Sequence, residues 1–123
     1  MLFRSFLHFF LVIKDWSLSA PHSHIAGGMK YQDGKLTVPI SGRYYIYAQI
    51  YYYNNGRVRV RVNNKITTIT QPLGTAASQG ALYTGGVFNL RAGDAITLDA
   101  GGWPTYTVIH LHTFHSYFGA LLI

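Results

Sequence analysis

The sequence KLTVPISGRYYIYAQIYYY occupies residues 35–53 and decides the fold. Its beginning predicts a short strand over residues 35–40, which ends at Pro39 and at the turn of residues 41–42. Residues 43–53 predict a long strand, because aromatic and β-branched side chains dominate them. Both faces of this strand are apolar or aromatic, so we expect it to be buried on both sides.

Further strands follow at short spacing towards the carboxyl end. Residues 57–62 read RVRVRV with a period of two, so the valines should face a core and the arginines solvent or a partner. The pair Gly85 and Gly86 indicates a bulge or a close approach of backbone. Many short strands separated by turns rich in Gly and Asn predict a β-sandwich or barrel without helices. The other predicted strands lie at residues 66–70, 81–90, 95–100 and 116–123, with one more within 105–112.

The composition restricts the class of protein. A chain of 123 residues fits one domain, and its side chains are 49% hydrophobic and only 11% charged. That is apolar for a soluble monomer, so we expect an additional burial site such as a subunit interface. Cysteine is absent, which excludes disulfides, zinc–thiolate sites and cysteine nucleophiles. The formal charge of +6 permits a polyanion-binding face, but no nucleic-acid partner is predicted.

The sequence of the amino-terminal segment, residues 1–30, is compatible with more than one interpretation. Residues 1–13 read MLFRSFLHFFLVI and fit a hydrophobic edge strand. They also fit a truncated secretory signal or a wrongly assigned start of the gene. The apolar run is too short to cross a bilayer as a helix, which takes about 20 residues. We therefore place the folded domain at residues 31–123.

Neither a catalytic nor a metal site is predicted. His110 and His112 are two apart and His115 is near, but zinc sites take three or four convergent ligands, and no cysteine or carboxylate accompanies these histidines. The four acidic residues form no paired-carboxylate or triad pattern. Asp94 lies in a predicted turn, where its usual role is hydrogen bonding to backbone amides. We therefore expect a protein that is not an enzyme and needs no cofactor.

Four ordered segments resemble the tumour necrosis factor ligand family. Residues 36–49 are similar to its "L-x-V-P … G-x-Y-x-I-Y-x-Q" strand pair, and residues 83–90 to its "Y-x-G-G-V-F-x-L" strand. Residues 91–96 resemble the "G-D-x-[IL]" turn, and residues 117–122 the carboxy-terminal "Y-F-G" strand. The resemblance implies an all-β fold, a jelly-roll β-sandwich of the tumour necrosis factor/C1q type.

Within the family, two stretches look most like the ectodysplasin branch. They are residues 14–17, which read KDWS, and the short loop after Val62. That branch often carries a cysteine pair at the positions aligned with Thr70 and Leu82, and the pair is absent here.

The resemblance further implies a three-fold homotrimer. Tyrosine suits such an interface, because it buries a large apolar body and keeps a hydroxyl for a neighbouring chain. The alternative is that the tyrosines fill the core of their own chain, which we favour for Tyr44 and Ile46 on the opposite strand face. The predicted interface residues are Tyr45, Tyr47, Gln49, Tyr83, Gly85 and Tyr117.

The resemblance also implies a cytokine-like ligand. Such a ligand is extracellular, secreted or shed from a membrane-anchored precursor, and it signals by clustering a cysteine-rich receptor of the tumour necrosis factor type. Receptors of this family bind in the grooves between neighbouring subunits, where they contact loops of the ligand. Trp103 has the alternative role of covering the end of the sandwich. The corresponding receptor-binding residues are Asn63, Asn64, Lys65, Trp103 and Tyr106.

A basic ladder of Arg57, Arg59 and Arg61 leaves a second kind of partner open. It reads either as the solvated face of an outer strand or as a site for sulfated glycans. The alternative functions are therefore a C1q-like trimeric recognition head and a glycan-binding jelly roll. The sequence contains no Gly-X-Y tract of the collagen stalk that usually precedes a C1q-like head.

Overall fold

The computed structural model describes residues 2–5, 11–13, 16, 28–52, 57–70, 80–100, 107–110 and 116–123. These residues form eleven strands and no helix, as expected from the strand periodicity, and so none of them lies in a helix capable of crossing a membrane. The strands are β1 Leu2–Ser5, β2 Leu11–Val12, β3 Lys30–Gln32, β4 Lys35–Thr37, β5 Gly42–Tyr52, β6 Val58–Val62, β7 Lys65–Thr70, β8 Gly80–Leu90, β9 Ala95–Ala100, β10 Thr107–His110 and β11 Tyr117–Leu122.

The strands make two antiparallel sheets. In the first, β8 pairs along one edge of the long central strand β5, while β10 and β11 both pair along its other edge, and β1 pairs with β10. The second sheet has the order β3-β4-β9-β6-β7, and β2 also pairs with β9. We call the first the tyrosine sheet and the second the arginine sheet.

Alternation along the strands builds the core between the two sheets. Tyr44 and Ile46 of β5 are buried, as predicted for that face of the strand. The prediction of burial on both sides of β5 is wrong within one chain, because its opposite face is only half-buried. The remaining buried hydrophobic residues are Ile13, Leu36, Val38, Ala48, Ile50, Tyr52, Val58, Val60, Leu90, Ile96, Leu98 and Ala100.

Two local expectations differ from the structure. Of the two alternatives predicted for Gly85 and Gly86, the bulge is wrong, because strand β8 pairs with β5 without interruption. A register shift lies instead between Val60 and Arg61, where β6 pairs with β7. Strand β4 ends at Thr37, before the predicted Ile40. Beyond that point the backbone of Val38 bonds to the turn after β8, accepting from Gly93 N at 2.9 Å and donating to Asp94 O at 3.0 Å.

The segment before residue 30 contributes to both sheets. Beyond β1 and β2, Ile13 is buried and its amide donates to Leu98 O at 2.8 Å. Trp16 donates from its indole to Ile13 O at 3.0 Å and meets the edge of the Phe118 ring at a centroid distance of 4.9 Å. The domain boundary at residue 30 stays a prediction.

Candidate functional site

The outward side of the tyrosine sheet gathers all six residues predicted for a trimer interface. The cause is register: residues directly opposite each other on paired strands point to the same side. Three cross-strand rows result, Tyr83–Gln49–Tyr117, Gly85–Tyr47–Gly119 and Val87–Tyr45–Leu121, written in the order β8, β5, β11. We call these nine residues the tyrosine face.

Contacts among the side chains tie the tyrosine face together. The hydroxyls of Tyr45 and Tyr83 share a hydrogen bond of 2.6 Å, and Tyr117 donates to Gln49 Oε1 at 3.2 Å. The ring of Tyr47 stacks on Tyr45 at 6.0 Å and meets Tyr117 edge-on at 6.3 Å. Such aromatic contacts hold the rings in defined positions before any partner arrives.

The tyrosine face stays uncharged near neutral pH. The hydrogen bond between Tyr83 and Tyr45 is the main cause that raises the pKa of Tyr83 to about 12. Burial, followed by the proximity of Tyr117, raises the pKa of Tyr47 above its usual value of 10. None of the nine residues is an acid or a base that ionises near pH 7. The face is therefore apolar with hydroxyl groups rather than a charged surface.

Large apolar side chains on the tyrosine face remain exposed in the single chain. Tyr83 is 53% exposed, Val87 50%, Leu121 48% and Tyr117 38%. Contiguous exposed apolar patches often mark interaction sites, which makes the tyrosine face the candidate site of this chain. Val87, Leu121 and Gly119 were absent from the predicted set, although alternation along β8 and β11 places them on the same side as Tyr83 and Tyr117.

The prediction that the arginine ladder faces solvent or a partner is wrong for two of its three residues. The arginines were expected to face solvent or a partner, yet Arg59 donates to Asp99 Oδ1 at 2.7 Å and Arg61 donates to Asp99 Oδ2. The exposed fraction is 11% for the Arg59 side chain, 12% for that of Arg61 and 1% for Asp99. The reason is register, because β9 places Asp99 directly opposite Arg59. We call these three residues the arginine cluster; Arg57, just before β6, is half-buried.

The turn at Asn63, Asn64 and Lys65 was predicted to contact a receptor. Asn63 has a left-handed backbone with a φ of 51°, and its side chain donates to Asp94 Oδ1 and accepts from Ala95 N, both at 3.0 Å. Its amide group therefore joins this turn to the turn after β8, while Asn64 and Lys65 are exposed. The other two predicted residues, Trp103 and Tyr106, lie outside the described residues.

Asp94 has the role expected of a turn aspartate. Its carboxylate accepts from Arg91 N at 2.9 Å as well as from Asn63. These hydrogen bonds, that of Arg91 first, hold the pKa of Asp94 below its ordinary value of 3.8. The carboxylate is therefore used in local structure.

Metal binding finds no support in the part of the chain that the structure describes. There, no three His, Cys, Asp or Glu side chains lie close enough together to hold a metal ion. Of the histidines considered above, His112 and His115 lie outside that part, and only the backbone of His110 is described, in β10.

Two antiparallel sheets that enclose a common core place the chain in the class of jelly-roll sandwiches. The family model described as TNF(Tumour Necrosis Factor) family matches residues 14–75, which is half of the chain. The chain belongs to the tumour necrosis factor family.

Individual relatives agree with this assignment. Tumor necrosis factor of Ovis aries is 26% identical, with 88% of this chain and 56% of the relative covered. That of Rattus norvegicus is 26% identical with 89% and 55% covered, and that of Equus caballus 27% identical with 68% and 46% covered. The chain thus spans about half the length of the curated relatives it matches.

A solved structure confirms the predicted fold class. It is described as the structure of Eiger TNF from S. frugiperda, and it superposes with a TM-score of 0.72 at 16% identity. The match covers 99% of this chain and 85% of that one.

Proposed function

We propose that this chain is the receptor-binding domain of a cytokine-like ligand that forms a homotrimer. In this proposal it acts outside the cell, secreted or shed from a membrane-anchored precursor. It signals by clustering a cysteine-rich receptor of the tumour necrosis factor type and is not an enzyme. Membership of the tumour necrosis factor family supports the proposal.

The tyrosine face is the observation that carries the trimer. It is uncharged near neutral pH and includes four large apolar side chains that are 38% to 53% exposed. A second and third copy of the same chain would bury it, as obligate interfaces that cover more than about 2,000 Å² commonly do. Three of its hydroxyl groups are compatible with such burial, because those of Tyr45 and Tyr83 bond to each other and that of Tyr117 donates to Gln49.

For the receptor we propose a contact at the seam between subunits. Asn64 and Lys65 are exposed at the turn between β6 and β7, and Asn63 holds that turn in place. Trp103 and Tyr106 remain proposed anchors, because aromatic side chains dominate binding hot spots. We do not extend the proposal to sulfated glycans, since two guanidinium groups of the predicted ladder are held by Asp99.

Light scattering of the purified chain tests the assembly. We expect the mass of a trimer at micromolar concentration, and a clean monomer there would overturn the proposal. The receptor part is tested by capturing cysteine-rich receptor ectodomains on the immobilised trimer, with Lys65→Ala as the variant expected to bind less. A trimer that captures no such ectodomain would instead favour a C1q-like recognition head.

A further inference from the structure

Two tyrosines of the central strand lean in opposite directions, each over a glycine. The phenol of Tyr45 reaches towards β8 and ends above Gly85, where a side-chain Cβ would lie 2.8 Å from the ring carbon Cζ. The phenol of Tyr47 reaches towards β11 and ends above Gly119, where a Cβ would lie 2.5 Å from the hydroxyl oxygen and 2.7 Å from Cζ. Real Cβ atoms do not approach other atoms so closely, so either position tolerates only glycine while the ring stays in place.

The two glycines lie in one row of the tyrosine face. Gly85 and Gly119 flank Tyr47 directly on the two neighbouring strands. The middle row of the face therefore has a side chain only on its central strand. The phenol ends fill the space that side chains on β8 and β11 would otherwise occupy, and the two rings stay stacked at an interplanar angle of 23°.

We propose that Gly85 and Gly119 are positioning residues for self-association. By leaving room for the phenol ends, they let the rings of Tyr45 and Tyr47 lie close to the backbone of the sheet. They thereby determine the shape of the surface that another copy of the chain must fit. Interface cores pack as densely as protein interiors, so a ring raised by the size of a methyl group disturbs the fit. The inference rests on the proposed homotrimer.

The atoms that an added Cβ would meet distinguish a role of these glycines in self-association from a role in folding. In both cases a new methyl group would meet the outer end of a half-buried phenol, which can swing away from the sheet. An alanine at either position therefore leaves the fold of a single chain intact and changes only the surface. Gly86 provides the contrast, because its Cβ would point to the other side of β8 and approach the Phe88 ring at 3.1 Å.

Sedimentation equilibrium of Gly119→Ala and Gly85→Ala tests the inference, with Gly86→Ala as the matched control. We expect each of the first two variants to raise the concentration of half-dissociation by about tenfold. Because the dissociation constant of a trimer scales with the square of that concentration, this corresponds to a loss of about 2.8 kcal/mol per trimer. Circular dichroism should retain the β-sheet spectrum of the parent chain. A trimeric parent whose midpoint is unchanged by both substitutions would overturn the inference and leave the proposed trimer standing, whereas a monomeric parent overturns both.

A double-mutant cycle asks whether Gly119 acts through Tyr47. We expect Gly119→Ala to have no further effect in a Tyr47→Ala background, because no phenol then lies above residue 119. Additive effects would overturn the inference, since the substitution would then act through the backbone. If Gly119→Ala fails to fold, the same cycle with Gly85→Ala and Tyr45→Ala decides the question.

Discussion

The tyrosine face and the arginine cluster both lie on outward sides of the sandwich, but they differ in how completely one chain satisfies them. In the arginine cluster, two guanidinium groups flank the carboxylate of Asp99, which is 1% exposed. On the tyrosine face, Tyr83 remains 53% exposed although its hydroxyl is hydrogen-bonded. The charged side chains of the arginine cluster thus find their partners within the chain. The large apolar side chains of the tyrosine face stay exposed in the single chain, which is why the proposed interface is placed there.

The largest effect is expected from opening the arginine cluster. Asp99→Asn keeps the side-chain shape but leaves two mostly buried guanidinium groups without their carboxylate. Breaking a buried ion pair in this way costs about 3–5 kcal/mol in the free energy of unfolding. Urea unfolding at fixed protein concentration measures it.

The matched control for that substitution is Asp33→Asn. Asp33 is exposed in a turn with a φ of 54°, a backbone conformation that asparagine also adopts. We expect a clearly smaller loss than in Asp99→Asn, because solvent screens the interactions of an exposed carboxylate. Equal losses in the two variants would mean that the arginine cluster is no more important than a surface carboxylate.

The next effect concerns the tyrosine face. Tyr83→Ala removes an exposed ring together with the hydroxyl that bonds to Tyr45, and it should dissociate the proposed trimer. Truncating an interface hot spot typically costs about 2–4 kcal/mol of binding free energy. Light scattering over a dilution series measures the change. Ile69→Ala, which shortens a side chain 41% exposed on the arginine sheet, should leave the oligomeric state unchanged; a trimer that tolerates Tyr83→Ala but not Ile69→Ala would reverse the comparison.

The smallest effect sharpens the contrast between buried and surface carboxylates. Because the pKa of Asp94 is lowered in the folded state, its contribution to stability is present above the ordinary value of 3.8 and is lost as the pH falls through the folded pKa. The difference in unfolding free energy between the parent chain and Asp94→Asn should therefore shrink between about pH 5 and about pH 2. It should stay well below the Asp99 effect, because solvent screens a surface group. A difference that is constant over this range would show that the charge of Asp94 contributes nothing.

Much of the fold and of the candidate site could be predicted from the sequence. Strand positions follow from alternation, which depends only on side chains two residues apart, and strand β9 was predicted to its last residue. The same alternation placed Tyr45 and Tyr47 on the side of β5 opposite to Tyr44, and the family motifs added Tyr83 and Tyr117. The structure brings these residues together on one face.

What the tertiary structure alone decided is which distant residues lie opposite one another. The pairing of Arg59 with Asp99, the link from Asn63 to Asp94 and the position of Gly119 beneath Tyr47 all join segments at least 31 residues apart. No local pattern carries this information, because a shift of one residue in strand register sends every side chain to the other side of the sheet. The sequence by itself therefore determined the strands and their apolar sides. Strand register decided that Arg59 and Arg61 pair with Asp99 of the same chain, and that the phenol rings of Tyr45 and Tyr47 lie over glycines.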